Sequence, residues 1–471
     1  MLLIYARIYM KVIALNKAAD IDLTSGSLAK KILLFTIPII LSNILQLLFN
    51  ACDLMVIGRF SGDDSLAAVG STSSLINLIV NLFIGVSIGA NVVVANAVGE
   101  KNETKAFNAV HTAVLFSIIS GIILTFFGVF TARIWLELLD TTTEAIDKAT
   151  LYLQVYFGGI IFNLIYNYGS SILRAVGETR RPLLYMLISG VVNLLLNLLT
   201  VIVFRLDVAG VAISTVISEG ISAVLVIICL CRRKGYAHLE LKKIRINLTS
   251  LKEMIIIGLP AGIQAILFSI SNVFIQKAVN SFNSTAVVSG NTAAANLEGF
   301  VYDGMNGFYQ ACITFTGQNY GAKKLKNCKK SLLYCLMYAT LAGVILGGGM
   351  LIFGKSLLKL YTKTNESLDY GMTRLIIICS TYYLCGIMDV MVGGLRGLGY
   401  SIAPMIVSIM GACVFRLVWI YTIFKTYHTL NILYISYPIS WFITGLIHVI
   451  CYIIIYNKIK KKNFNITEGQ F

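Results

Sequence analysis

Leu173-Arg174-Ala175-Val176-Gly177-Glu178-Thr179-Arg180-Arg181-Pro182 is echoed by Leu395-Arg396-Gly397-Leu398-Gly399-Tyr400-Ser401-Ile402-Ala403-Pro404. The Leu-Arg pair, the second glycine of the echo and the proline recur at one offset, 222 residues (395 minus 173). The offset holds well outside this stretch. Pro38 pairs with Pro260, Asn50 with Asn272, Gly99 with Gly321 and Ser214 with Ser436. Leu136 and Leu138 pair with Leu358 and Leu360, and Glu144 and Asp147 with Glu366 and Asp369. A constant offset over so long a stretch marks a unit written twice. In an apolar chain a duplicated bundle is the usual build of a secondary transporter, with its site between the repeats.

The chain is 57% hydrophobic and 13% charged, against roughly 25% charged in a soluble domain. Twelve stretches are long enough to cross a bilayer core of about 30 Å as helices. In the first half they run over 32–57, 66–97, 108–132, 150–173, 182–204 and 208–231. In the second they run over 254–279, 288–318, 328–353, 370–395, 404–424 and 432–456. The expected fold is an all-α membrane protein of twelve transmembrane helices in two six-helix lobes. Six spans is an even number, so both repeats enter from the same side and are parallel.

Lys and Arg in the loops orient the chain. With the N-terminus inside, the cytoplasmic segments hold 27 basic residues. The opposite side holds nine: Arg59, Arg133, Lys148, Arg205, Lys277, Lys355, Lys359, Lys363 and Lys425. Arg374 and Arg416 lie within spans. Both termini are therefore expected in the cytoplasm, with the chain in a cytoplasmic (inner) membrane. The net charge of +16 is a topology signal spread over short loops, so no nucleic-acid partner is expected. The expected organisation is a lead-in at 1–31, a first lobe at 32–231, a basic linker at 232–252 beside anionic lipid headgroups, a second lobe at 253–456 and a tail at 457–471. Arg7 and Lys11 interrupt the apolar start, so no secretory leader is expected, and Met10 is as good a start as Met1.

Ten cysteines sit in or beside apolar spans without a CxxC, as small hydrophobes do. Four scattered histidines make no metal spacing. The chain has no GxxxxGK[ST], HExxH or GxSxG motif, so neither ATP hydrolysis nor an intramembrane enzyme is expected.

A polar side chain inside a span has a cost, about 2.5–3.5 kcal/mol for Asp on insertion scales. Asn43, Gln46, Asn50 and Asp53 fall on one face of the first span. Such amides also suit interhelical packing, whereas the acid points to function. The eighth span carries Asp303, Asn306 and Gln310 on one face with Thr292, Asn296 and Thr314. Glu298 lies about 140° from Asp303 around that helix. The fifth span has Ser189, Asn193 and Asn197 at steps of four, and the fourth has Asn163, Asn167 and Ser170. Asp389 precedes Arg396 by seven residues, as Asn167 precedes Arg174. Glu219 stands by itself in the sixth span. Arg416 in the eleventh is placed to pair with one of these acids, which would make that acid structural.

At Asn50-Ala-Cys-Asp53-Leu-Met-Val-Ile-Gly58 the chain resembles the multidrug and toxic compound extrusion (MATE) family. It does so again at Gln318-Asn-Tyr-Gly321-Ala and at Leu395-Arg-Gly-Leu-Gly-Tyr400 leading to Pro404. The resemblance runs from about residue 22 to about residue 458 and is nearest to the branch common in anaerobic Gram-positive bacteria. It implies a V-shaped pair of six-helix lobes that opens alternately to each side and exports organic cations in exchange for sodium ions or protons. Asp53 falls on the family's first-span acid, and Asn193 and Asn197 on a fifth-span pair whose second member is Asp in some archaeal and proton-coupled members. The chain departs from the NorM-like branch at two places. Phe268 stands where that branch has a seventh-span Glu, and Cys385 where it has a tenth-span Asp, with Asp389 one turn along.

The expected function is a monomeric antiporter that exports a small cationic molecule and needs no cofactor beyond its coupling ion, H+ or Na+. Asp53, Asn193, Asn197 and Asn50 would couple the ion, with Asp53 as the Na+ ligand if the ion is sodium. Gln46, Asp303, Asn306, Asp389, Glu298 and Glu219 would line the substrate cavity. A lipid-linked saccharide flippase of the same superfamily is the alternative, although an acidic interior and twelve spans count against it. A non-transporting receptor or scaffold is the reading from another class. The intramembrane acids have no twins: Asp53 pairs with Ile275, Glu219 with Trp441, Asp303 with Asn81, Asp389 with Asn167 and Glu298 with Ile76.

Overall fold

A computed structural model describes residues 21–138, 141, 145–362 and 364–468, with the side chains at 63, 66, 67, 71, 74 and 463–468 outside that description. Met1, Met10 and the rest of 1–20, Glu144, Lys363 and the last three residues of the tail lie outside the described residues. Described residues form fifteen α-helices and no strand. The first half holds α1 (Leu28–Phe60), α2 (Asp63–Gly99), α3 (Glu103–Leu138), α4 (Ile146–Gly158), α5 (Ile160–Ala175), α6 (Arg180–Asn197) and α7 (Asp207–Arg232). The second holds α8 (Leu248–Asn280), α9 (Thr285–Gly321), α10 (Leu325–Leu358), α11 (Asn365–Cys379), α12 (Tyr383–Gly397), α13 (Ile402–Ser408), α14 (Phe415–Trp419) and α15 (Leu430–Glu468).

Among the described residues nine helices are long and apolar enough to cross a membrane, and eleven spans result if two bent pairs count as one each. The span left out of that count is the eighth, α9. It carries the polar stripe and two acids, and most of its residues are buried within its own bundle. Packed among α10, α11 and α12, it does not have to be apolar towards lipid. Two expected spans are not single helices. The fourth is α4 plus α5 and the tenth is α11 plus α12, each bent by 47°.

The repeat is visible in backbone detail. Asp63–Gly99 and Thr285–Gly321 are the same 37-residue helix moved by 222 positions. Each is followed by a lysine in the left-handed region, Lys101 at φ 55° and Lys323 at φ 57°. Gly177 at φ 88° and Gly399 at φ 87° make the turns into the fifth and eleventh spans, in a conformation that glycine adopts without a Cβ clash. Both of these spans end in a π-helical turn, Leu198–Val203 and Ile420–Phe424. A second π-turn, Ile409–Val414, interrupts the eleventh alone.

The chain divides into two compact units. One holds Leu41–Gly258 with the described residues before Thr24; the other holds Thr24–Ile40 and everything from Leu259. This partition differs from a division at the 232–252 linker, because each unit claims the opening turns of the other repeat's leading helix. Close packing explains it. A Cβ on Gly89 of α2 would lie 2.1 Å from the Met254 carbonyl oxygen, and one on Gly258 of α8 would lie 2.5 Å from the Val86 Cα. In the second unit a Cβ on Gly307 would meet Ile40 Cγ1 at 2.6 Å, and Phe35 packs edge-on against Phe315 at 5.4 Å. The linker is also tied down within the first unit: the Glu240 backbone N–H donates to His111 Nε2 at 3.0 Å, and that of Asn247 to Thr112 Oγ1 at 2.9 Å. The twelfth span is longer than expected, since α15 carries its lysines past 456 to Glu468.

Candidate functional site

In the first unit three helices bring one acid and two amides together. Asn193 and Asn197, four residues apart on α6, share a face, and Asp53 comes from α1. Asn197 Nδ2 donates to Asp53 Oδ1 at 2.6 Å and to Asn193 Oδ1 at 3.1 Å. Asn193 Nδ2 in turn reaches Thr215 Oγ1 of α7 at 3.4 Å. Asn197 is fully buried and Asn193 nearly so. Asn197 Oδ1 is sealed from solvent and accepts no hydrogen bond among the described residues. A buried amide oxygen without a donor carries a cost, and here it is one amide flip away from the carboxylate. In that flipped state it could accept from a protonated acid or ligate a cation. Gln46 and Asn50 do not join this cluster; both are exposed on α1.

A second acid–amide pair lies in the same unit. Asn163 Nδ2 of α5 donates to Glu219 Oε1 of α7 at 2.7 Å, and Asn167 Nδ2 donates to Asn163 Oδ1 at 2.9 Å. Glu219, isolated along the sequence, is therefore capped by the fourth-span amides. Their separation of 56 residues hides the pair from any periodicity argument. Tyr152 of α4 lies within electrostatic reach of both Asp53 and Glu219, a relation that sequence reasoning missed.

The second unit sorts its acids differently. Glu298, expected to line the cavity, is 4% exposed and held by a bidentate arginine. Arg374 donates from Nε to Oε1 at 2.8 Å and from a terminal nitrogen to Oε2 at 2.7 Å. The other terminal nitrogen donates to Asn291 Oδ1 at 2.7 Å, which also accepts from the Tyr434 hydroxyl at 3.1 Å. Glu298 is thus the acid neutralised by an arginine, and its partner is Arg374 rather than Arg416. Arg416 makes no ion pair among the described residues. Its Nε donates to Ser440 Oγ at 3.0 Å, and its guanidinium lies 4.1 Å from the Tyr437 ring centroid and 5.7 Å from that of Trp441.

Asp389 of α12 lies within electrostatic reach of Tyr302 and Arg396. Tyr302 accepts from Asn306 Nδ2 at 3.3 Å, and Gln310 Nε2 donates to Asn306 Oδ1 at 2.9 Å. Tyr302, Asn306 and Gln310 are therefore one network along α9, with Asp389 of α12 near its tyrosine. Arg396 is spent mainly elsewhere, on the Tyr309 hydroxyl and on Gln264 Oε1 at 2.9 Å. Asp303 is half-buried on the same face of α9 and has no hydrogen-bond or ion-pair partner among the described residues. The arrangement suits binding and releasing charge.

A doubled helical membrane bundle with an acid–amide cluster in one unit and a polar network in the other has the build of a membrane carrier, a transporter rather than an enzyme. The MatE family model matches residues 38–199 and 260–422, two segments whose starts are again 222 apart (260 minus 38). The chain belongs to the MatE family, the MATE multidrug efflux transporters. It is 27% identical over 399 residues to the probable multidrug resistance protein YpnP of Bacillus subtilis, covering 84% of this chain and 88% of YpnP. It is 28% identical over 385 residues to the probable multidrug resistance protein YoeA of the same organism, covering 80% and 82%. The fold is that of a solved outward-facing multidrug resistance MATE transporter, with a TM-score of 0.88 at 21% identity over 94% of this chain and 99% of that one.

Proposed function

We propose that this chain is an ion-driven antiporter, in which Asp53, Asn197 and Asn193 exchange a proton or sodium ion for release of an organic cation. The observation that carries the reading is the 2.6 Å contact between Asn197 Nδ2 and Asp53 Oδ1. There a carboxylate, two buried amides and an unused amide oxygen meet. Binding a cation there changes what Asn197 must do, from donating to the carboxylate to offering its oxygen. An ion with that differential effect shifts the balance between two states of a carrier. Gln46 and Asn50, exposed on the same helix, fit the approach to this cluster better than the cluster itself. In the second unit Asp303, without a hydrogen-bond or ion-pair partner among the described residues, and Asp389 of α12 are the acids left for a cationic substrate. The supporting name is that of the relatives, probable multidrug resistance proteins. The protein is taken to act as a monomer in the cytoplasmic membrane of a bacterium, with its basic linker among lipid headgroups.

The test is flux in proteoliposomes of a fluorescent organic cation, driven separately by a pH gradient and by a sodium gradient. Asp53→Asn removes the titratable, ion-ligating oxygen with little change of shape. Ion-driven flux of this variant should fall to background while the protein elutes and unfolds like the wild type. Full retained flux would exclude Asp53 from coupling. The gradient that drives the wild type identifies the ion.

A further inference from the structure

The two units carry opposite charge at one repeat-related place. In the first unit Asn163 and Glu219 occupy it, hydrogen-bonded at 2.7 Å. Moved by 222 positions these become Cys385 and Trp441, and the charged group beside them is Arg416. Its guanidinium lies 5.7 Å from the Trp441 ring centroid and within electrostatic reach of Cys385. Arg416 replaces Leu194 of the first repeat, so the cation has no counterpart there. A carboxylate in one unit is answered by a guanidinium in the other.

Arg416 is 7% exposed and is held without an acid. Stacking on Tyr437 at 4.1 Å, with one bond to Ser440, lets a guanidinium remain charged in an apolar bundle. That cage uses one of the five N–H donors an arginine has. Arg374, nearby in sequence order, behaves differently and spends all three of its nitrogens on Glu298 and Asn291. Neither terminal nitrogen of Arg416 is among the sealed, unsatisfied atoms of the described residues, so each keeps some accessible surface. Asp389 does not claim them: the bond that Arg416 makes goes to Ser440, and no ion pair or hydrogen bond joins Arg416 to Asp389 among the described residues. What remains is a planar fork of donors, held by two rings among buried side chains and without a partner among the described residues.

We propose that Arg416, oriented by Tyr437, Trp441 and Ser440, binds a planar oxyanion, most simply a carboxylate, on the molecule this protein carries. The preferred cargo is then amphoteric, with a cationic group for the second unit's free acid and a carboxylate for Arg416, rather than a simple organic cation. This rests on the reading of the chain as an exporter, but it concerns recognition and is measured by binding.

Rhodamine B, an aromatic cation with a free carboxylate, and its ethyl ester differ only in that group. Their affinities for purified protein in detergent are read by fluorescence anisotropy, without any ion gradient. The wild type should bind the acid about tenfold more tightly than the ester, the worth of one charge-assisted contact. Arg416→Gln should bring the acid to the ester's level and leave the ester unchanged. Arg416→Lys, which keeps the charge and loses the fork, should fall between and controls for folding. Equal affinity of the wild type for both dyes, or binding of neither, overturns the proposal. So does an equal loss of both dyes in Arg416→Gln, the mark of a structural arginine. Selective binding of the acid with no ion-driven flux of either dye would sink the antiport reading and leave the anion site standing.

Discussion

Asp53 and Glu298 are each a single acid in a membrane helix, and their surroundings give them different work. Asp53 meets only neutral amides, so its charge can be cancelled by an exchangeable ion. Both oxygens of Glu298 are taken by Arg374, at 2.8 and 2.7 Å, which leaves nothing to exchange. Breaking a buried pair on one side strands the other charge, at a cost of about 3–5 kcal/mol, while replacing both partners by apolar side chains is often neutral. Glu298→Gln should therefore lower the unfolding midpoint of the purified protein markedly, and Glu298→Met combined with Arg374→Met should recover most of the loss. If the single variant unfolds like the wild type, the pair is not structural. Spacing along α9 places Glu298 away from Asp303 on the helix wheel, but Arg374 is 76 residues distant. No local pattern could reveal which acid it would choose.

At the scale of the element, the spans were legible as lengths of apolar chain, and their interruptions were not. The bends after Gly158 and after Cys379 fall at the same place in both repeats, so they belong to the duplicated design. They are invisible to hydropathy because both arms remain apolar. The same limit applies to α9, which fails as an apolar span yet is buried in its own unit. The leading helix α8 depends on a glycine contact. A side chain on Gly258 would run into the Val86 backbone at 2.5 Å. A shift of helix against helix would follow, and overpacking of this kind costs about 1–3 kcal/mol or more. Gly258→Leu should lower the thermal midpoint and the yield of folded protein. Gly348→Leu, where nothing lies within 4 Å, should do neither. Equal behaviour of the two variants would show that the α2–α8 contact is loose.

At the scale of the molecule, the loop charges make a prediction independent of any site. Lys and Arg number 27 in the segments assigned to the cytoplasm and nine in those opposite. A green fluorescent protein fused after Phe471 should fluoresce, and alkaline phosphatase at the same point should be inactive. The reverse result would invert the chain and move the linker to the outside.

The doubled bundle, the number of spans and the family were determined by the sequence itself. A constant offset and long apolar runs are local, additive signals that survive without knowledge of any contact. The first-unit cluster was half legible, since Asn193 and Asn197 share a helix face by spacing. Their meeting with Asp53, 144 positions away from Asn197, needed the resemblance to be expected and the tertiary structure to be seen. Only the tertiary structure decided that Glu219 is capped by Asn163, that Glu298 is neutralised and that Arg416 is not. Charge in a membrane is settled by which partner stands within about 3 Å, and packing between helices far apart in the chain sets that distance.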